Sequence, residues 1–282
     1  MIDLHLHSTH SDGTMTPSEL VKKAAHIGLS AISITDHDTV SGIEEAMSEG
    51  NACAVEVISG LEITVKHKGL NLHILGYNFN WLDEQLVKIL DRLQSARAER
   101  NLKIIKKFQA MGINISEQDL KNESGVGVAG RPHFASLLVK DGLVKNNEQA
   151  FSQYLKAGRC AYAPRFVLDS HDAIKILHDA GGIAVLAHPI QLPCSFSELS
   201  MMLNELKQLG MDGLETYYPT QRGQAGKKIR ALAQKYQLLE TGGSDYHGDI
   251  RIGTSMAGGS KKFLVPEKLL SKLKMKLQPS KK

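Results

Sequence analysis

Cysteine is scarce in this chain: Cys53, Cys160 and Cys194 are the three in 282 residues. They are odd in number, widely separated and never in CxxC spacing. That excludes a disulfide framework and a thiolate zinc site, and it fits reduced thiols in a cytoplasm. Long apolar runs are lacking as well, none approaching the roughly 20 residues that a membrane span needs. A signal-peptide pattern is absent, because Met1 leads directly into a strand-like segment. A cytoplasmic protein without membrane attachment or an obligate protein partner is the expectation.

The net charge of +4 misrepresents most of the chain. Lys261, Lys262, Lys268, Lys272, Lys274, Lys276, Lys281 and Lys282 crowd the C-terminus against Glu267 alone, leaving about −3 for the rest. The body is therefore no broadly basic nucleic-acid binder, and the terminal lysines read as the solvated face of a helix, with help in holding RNA as the alternative. Hydrophobic residues at 42% and charged residues at 23% are ordinary for a globular protein of this length. The chain suffices for one large α/β domain, or a domain carrying an insertion.

Short apolar runs alternate with helix-period segments in the first eighty residues and again after about residue 170. The strand candidates are Ile2–His7, Ala31–Thr35, Val55–Val65, Leu72–Tyr77, Ile183–Ala187, Gly213–Tyr217 and Leu238–Thr241. Thr16-Pro17-Ser18-Glu19 is a capping box with proline at the first helical position, and Gly28 closes that helix. Further helices are expected near Gly42–Ser48, Ser170–Ala180, Glu198–Leu209 and Gly223–Tyr236. Such alternation predicts a parallel sheet, open or closed. Residues 83–167 differ: a long helix near Asp83–Met111, then shorter ones near Glu117–Lys121, His133–Lys140 and Glu148–Ala157, with no convincing strand. They read as a helical insertion dividing an α/β domain made of residues 1–82 and 168–282.

Histidines and acids recur where strands end. In an extended strand, residues two apart share a face, so His5 and His7 point one way while Ile2, Leu4 and Leu6 point the other. Asp12 follows on a polar turn. His37 ends the second strand between Asp36 and Asp38, Glu62 lies in the third, and His73 opens the fourth segment. His188 ends the fifth strand, stopped by Pro189, and Asp245 and His247 follow the last. Parallel strands would bring these C-terminal ends to one face. Six histidines and three acids so placed predict a shared metal site. Imidazole and carboxylate without thiolate suit Mn²⁺, Fe²⁺ or Zn²⁺ in open catalytic sites. Nine ligands would serve two or three ions. Three divalent ions against three carboxylates leave a surplus of roughly +3, suited to an anionic substrate.

Within the insertion, Leu86, Leu90, Leu93, Arg97, Arg100, Ile104 and Phe108 share one helical stripe. Two guanidiniums in register with an apolar face should meet carboxylates or a ligand anion; otherwise they snorkel to solvent or pair with acids such as Glu99. Gly125-Val126-Gly127-Val128-Ala129-Gly130-Arg131-Pro132-His133 reads as a glycine-rich helix start, where free backbone N–H groups and Arg131 would favour a phosphate. Tyr217 and Tyr218 read as barrel-end packing, with stacking of one on a base as the alternative, and His10, His26, His67, His171 and His178 as bystanders.

The motifs His5-Leu6-His7 with Asp12, Thr35-Asp36-His37-Asp38, Glu62 with His73, Ala187-His188-Pro189 and Ser244-Asp245-Tyr246-His247 resemble those of the PHP (polymerase and histidinol phosphatase) superfamily. All nine expected ligand positions are filled. The resemblance implies a distorted (β/α)₇ barrel with a trinuclear centre, most simply Mn²⁺, that hydrolyses phosphoesters through a metal-bound hydroxide. By that likeness His5, His7, Glu62 and Asp245 would hold one ion, with Glu62 bridging. Glu62, His73 and His188 would belong to a second, and Asp12, His37 and His247 to a third. His37, His188 and His247 are the catalytic candidates. The whole chain, with Arg100-Asn101 and Gly130-Arg131-Pro132-His133 in its insertion, further resembles a bacterial branch acting on 3′,5′-nucleoside bisphosphates and, 5′ to 3′, on short 5′-phosphorylated RNA or DNA. This implies substrate contacts from Arg97, Arg100, Asn101, Arg131 and His133. A histidinol-phosphate phosphatase, or a PHP module without catalysis, are the competing readings.

Overall fold

The computed structural model describes residues 1–250, 254–259 and 263–277; Lys261, Lys262, Lys281 and Lys282 lie outside the described residues. Its first helix begins as the capping box predicts. Thr16 Oγ1 accepts from the Glu19 N–H at 3.2 Å, and the Glu19 carboxylate accepts from the Thr16 N–H at 2.8 Å. Helix α1 (Pro17–Ile27) then stops at Gly28, which takes a left-handed φ of 83°. It joins β1 (Ile2–Leu6) to β2 (Ala31–Ile34), which pair in parallel. Helix α2 (Ile43–Cys53) leads to β3 (Glu56–His67), parallel to β2.

The run of parallel strands is interrupted there. Lys68 and Gly69, with φ of 45° and 87°, form a two-residue turn that folds β4 (Leu70–Tyr77) back antiparallel on β3. Two consecutive positive φ values match the right-handed twist of a hairpin. The reversal has a chemical consequence. His73 sits near the start of β4, opposite Thr64, and so reaches the end of the sheet where the parallel strands finish.

After β4 come α3 (Glu84–Ala110), α4 (Glu117–Ser124), α5 (Arg131–Lys140), α6 (Asn147–Ala150) and a π-helical turn at Phe151–Leu155. No strand occurs in this stretch among the described residues. The α/β alternation resumes with β5 (Leu168–Asp169), α7 (Ser170–Asp179), β6 (Ile183–Leu186), α8 (Phe196–Gln208), β7 (Gly213–Tyr217), α9 (Gly223–Lys235), β8 (Leu239–Gly242) and α10 (Lys268–Leu277). The sheet runs β1-β2-β3-β4-β6-β7-β8, with β5 attached to β3. Its two ends meet: the Asp245 N–H donates to His5 O at 2.8 Å, and the His7 N–H to Tyr246 O at 3.0 Å. The result is a seven-stranded distorted barrel, closed just beyond the metal-ligand candidates of β1.

Strand β1 does not alternate uniformly. Its register against β2 shifts between Asp3 and Leu6. Ile2 and Leu4 therefore pack with Tyr77, Val185 and α10, whereas Leu6 joins Leu20, Val21, Ile32 and Ile34 beneath α1. Such an irregularity re-aims side chains at a strand end. Helix α10 buries Leu269, Leu270 and Leu273 in the first of these clusters and leaves Lys268, Lys272, Lys274 and Lys276 exposed. Lys274 meets Glu56 at 2.6 Å.

Helix α3 belongs to two packing units. Leu86, Leu90 and Leu93 pack with α7 and the sheet, while Ile104, Ile105 and Phe108 pack with Leu120, Phe134, Leu138 and Leu155 of the helical stretch that follows. Arg97, Arg100 and Asn101 occupy the length between. Among the described residues, no helix is long and apolar enough to cross a membrane.

Candidate metal centre and the arginine pocket beside it

Glu62 is the hub of the site. Its carboxylate lies 2.9 Å from His73 Nδ1, 3.0 Å from His188 Nε2, 3.1 Å from His37 Nδ1, 3.2 Å from His7 Nε2 and 3.5 Å from His5 Nε2. Asp245 Oδ1 approaches His7 Nε2 at 3.2 Å and His5 Nε2 at 3.5 Å, and Asp12 Oδ1 lies 3.4 Å from His247 Nε2. The nine side chains singled out in the sequence thus converge. Their ligand atoms fall into four overlapping sets: His7, Asp12, His37 and His247; His5, His7 and Asp245; His5, Glu62 and His188; and His37, Glu62 and His73. His188 and His73 fall in different sets, unlike the partition implied by resemblance. The His73 ring lies 5.1 Å from the rings of both His37 and His188, so it stands between the two groups.

The donor chemistry fits divalent ions. His5 Nε2, His7 Nε2, Asp12 Oδ1 and His37 Nδ1 are fully buried and make no hydrogen bond among the described residues. Leaving such atoms unsatisfied is costly, and a cation among them removes the cost. The charges answer one another in the same way. Burial would raise the Glu62 and Asp12 carboxyls, but Glu62 is held well below the usual range by His73, His37 and His5, and Asp12 by His247 and His37. Burial would lower His7, yet Asp245 and Glu62 raise it to about 9. For His37 burial prevails over Glu62 and Asp12 and brings it to about 3.

Backbone and neighbouring acids hold this arrangement. Asp38, His188 and Asp245 have φ of 56°, 25° and 52°, a region that side chains other than glycine seldom adopt. Asp36 accepts from the Ser8 N–H at 2.7 Å and from the Ser8 and Ser11 hydroxyls at 2.5 Å each, pinning the loop that carries Asp12. Asp3 accepts from the Ser244 N–H at 2.9 Å and the Ala257 N–H at 2.8 Å, fixing the segment before Asp245. Tyr218 is more than packing: its hydroxyl donates to Asp245 Oδ2 at 2.8 Å. Glu215, which the sequence did not single out, lies on β7 with Oε1 3.0 Å from His5 Nδ1 and Oε2 accepting the His188 N–H at 2.6 Å.

Beside the metal cluster lies a cavity of about 430 Å³ whose wall includes Asp12, His37, His73, Arg97, Arg100, Arg131 and Arg165. Arg97 and Arg100 are buried, at 8% and 4% exposure, which excludes snorkelling to solvent. Arg97 Nε donates to Asp38 Oδ2 at 2.6 Å, and Arg165 Nη2 donates to the same oxygen at 3.0 Å. Among the described residues no carboxylate pairs with Arg100: its Nε donates to Asn101 Oδ1 at 3.1 Å, and its buried Nη2 makes no hydrogen bond. Burial pushes the Arg100 guanidinium well below its ordinary range, and repulsion from Arg97, Arg131 and Arg165 adds to this. Arg165 is brought to about 10 by burial and by Arg97, with Asp38 opposing.

Asn101 and His133 do not line this cavity. Asn101 braces Arg100 and donates through Nδ2 to Ala129 O at 3.1 Å. His133 Nδ1 accepts the Gly130 N–H at 2.9 Å, so one donor expected to be free at this helix start is already used. The glycine-rich segment serves close packing instead. A Cβ on Gly127 would stand 2.3 Å from Thr9 O, and the Val128 N–H donates to His10 O at 3.0 Å, docking this segment against the loop that carries Asp12. Arg165 and the anionic partner role of Asp38 escaped sequence reading.

Imidazoles and carboxylates gathered at one end of a (β/α) barrel, with an anion-demanding cavity alongside, define a metal-dependent hydrolase of charged substrates. The chain belongs to the PHP domain family, whose model matches residues 3–157. It is 33% identical over 257 residues to a 5′-3′ exoribonuclease of Haemophilus influenzae, covering 90% of this chain and 93% of that protein. It is 28% identical to a 3′,5′-nucleoside bisphosphate phosphatase of Chromobacterium violaceum, over 87% of each chain. A solved structure from Bifidobacterium adolescentis, described as a metal-dependent phosphoesterase, superposes with a TM-score of 0.85 at 26% identity, covering 96% of this chain and 94% of that one. This chain is accordingly a phosphoric ester hydrolase that uses divalent metal.

Proposed function

We propose that the enzyme removes the 3′ phosphate from 3′,5′-nucleoside bisphosphates and trims short 5′-phosphorylated RNA or DNA from the 5′ end. The carrying observation is the unpaired, buried Arg100 Nη2 in a cavity shared with Asp12, His37 and His73. One phosphate held by arginines beside a second at the metal cluster is common to both substrates: in each, a 5′ phosphoryl group neighbours the 3′ phosphoester that is cleaved.

His5, His7, Asp12, His37, Glu62, His73, His188, Asp245 and His247 would hold the metal, which we take to be Mn²⁺ in as many as three positions. Bound divalent ions would lower the pKa of water and neutralise charge on phosphoryl oxygens. The chain's own groups do the selecting. Arg100 and Arg131 bind the phosphate that is not cleaved, with Arg165 beside them, while Asp38 keeps Arg97 and Arg165 in place. Asn101 and His133 act by positioning, the first on Arg100 and the second on the Gly130 turn. Of the catalytic candidates His37, His188 and His247, His37 lines the cavity, which supports a contact with the reacting phosphate. Residues 83–167 form the substrate-binding insertion on a catalytic barrel of residues 1–82 and 168–282. The three free cysteines support a cytoplasmic site of action.

The test is purified protein with Mn²⁺, offered a nucleoside 3′,5′-bisphosphate, 5′-phosphorylated and 5′-hydroxyl oligoribonucleotides, and histidinol phosphate. Turnover of the first two alone is expected. Equal cleavage of the 5′-hydroxyl oligomer would remove the arginine clamp from the reading, and preference for histidinol phosphate would replace it.

A further inference from the structure

One carboxylate outside the four ligand sets touches two residues inside them. Glu215 and His5 are both 0% exposed, so water cannot satisfy their facing atoms. Glu215 Oε1 lies 3.0 Å from His5 Nδ1, and its Oε2 accepts the backbone N–H of His188 at 2.6 Å. His5 stands on β1 and His188 just past β6, so Glu215 on β7 ties together two sides of the barrel. His5 turns its other nitrogen, Nε2, toward Glu62 and Asp245.

We infer that Glu215 is a positioning residue that fixes the His5 tautomer, with the proton on Nδ1 and the lone pair of Nε2 facing the metal, and holds the strained His188 backbone beside it. This rests on the metal-site reading above. A carboxylate presents acceptors on both oxygens and serves both partners at once. Glutamine has one acceptor and one amide donor, so Glu215→Gln, nearly unchanged in volume, cannot serve both. Either the His188 N–H faces another N–H, or the His5 proton moves to Nε2 and blocks the ligand position. Carboxylate partners of metal-bound histidines typically change metal affinity by 10- to 100-fold, with ~10-fold as the smallest effect expected here.

The experiment titrates Mn²⁺ into metal-stripped protein against a competing chelator, for the parent and for Glu215→Gln. The expected result is a 10- to 100-fold weaker Kd for at least one Mn²⁺. Equal affinity in both proteins overturns the inference. Absence of Mn²⁺ binding by the parent would instead overturn the metal-site reading. Should Glu215→Gln fail to fold, ¹⁵N NMR of the parent loaded with diamagnetic Zn²⁺ decides: His5 protonated on Nδ1 supports the assignment, and His5 protonated on Nε2 overturns it.

Discussion

Arg97 Nε and Asp38 Oδ2 meet at 2.6 Å in the interior, joining helix α3 to the segment that carries His37. Asp38 is 0% exposed and also accepts from Arg165, 127 residues away in the chain. Burial alone would raise its carboxyl, yet Arg97 and Arg165 hold it below the usual carboxylate range. Asp38→Asn therefore leaves two buried guanidiniums without their anion. A loss of about 3–5 kcal/mol in unfolding free energy is expected for breaking such a buried pair. Urea denaturation of metal-free protein checks it, and a loss below about 1 kcal/mol would contradict the staple.

Arg100 presents the opposite case, a buried cation with neighbours of like charge. Arg100→Met removes an unpaired guanidinium and keeps most of the side-chain volume. The metal-free protein should gain stability, seen as a higher Tm, while KM for a nucleoside bisphosphate rises roughly 10- to 100-fold, the worth of one charged hydrogen bond. Hydrolysis of p-nitrophenyl phosphate, which has no second phosphate, should change little. Equal losses on both substrates would assign Arg100 to the fold or the metal centre instead.

The contrast between these residues explains what was legible in the sequence. His5 and His7 could be paired because strand periodicity puts them on one face, and His188 and Asp245 because strands end beside them. The stripe placing Arg97 and Arg100 on the buried side of α3 follows from helical spacing alone. Local rules carry no information about Arg165 and Asp38, or about Glu215 and His5, which are 210 residues apart. Their meeting is a product of barrel closure. The antiparallel course of β4 was hidden for another reason: His73 opens its segment and shares an end with the other ligands only because the Lys68-Gly69 turn reverses its strand.

Far from the site, His178 Nε2 and Asp212 Oδ2 lie 2.7 Å apart. The hydrogen bond to Asp212 raises His178 above its ordinary 6.5, and burial opposes this. Asp212, which also accepts the Ala184 N–H, is lowered from 3.8 by His178, against burial. The stability from the raised histidine is fully present below pH 6.5 and is lost as pH rises through its folded value. That from the lowered aspartate is present above pH 3.8 and is lost as pH falls through its folded value. The difference in Tm between the parent and His178→Gln should thus be greatest between about pH 4 and 6.5 and shrink on either side. A difference independent of pH from 3 to 9 would rule out the charged pair.

Glu62 gives the metal reading its sharpest thermodynamic test, because its two oxygens face five imidazoles within 3.5 Å. A ligand that binds only the folded state stabilises it in proportion to the logarithm of its concentration. Mn²⁺ at a hundred times its Kd should add about 2.7 kcal/mol per site. The Tm of the parent should climb with Mn²⁺ and return to its starting value on chelation, with activity following the same course. Glu62→Gln keeps the shape but loses the anion that two of the four ligand sets contain and that the other two adjoin through His5 and His37. Its Tm should respond little to Mn²⁺, and turnover should fall by at least ~100-fold, as for loss of one strong electrostatic contact in a transition state. If Glu62→Gln gains as much stability from Mn²⁺ as the parent, the cation binds elsewhere and Glu62 is not its hub.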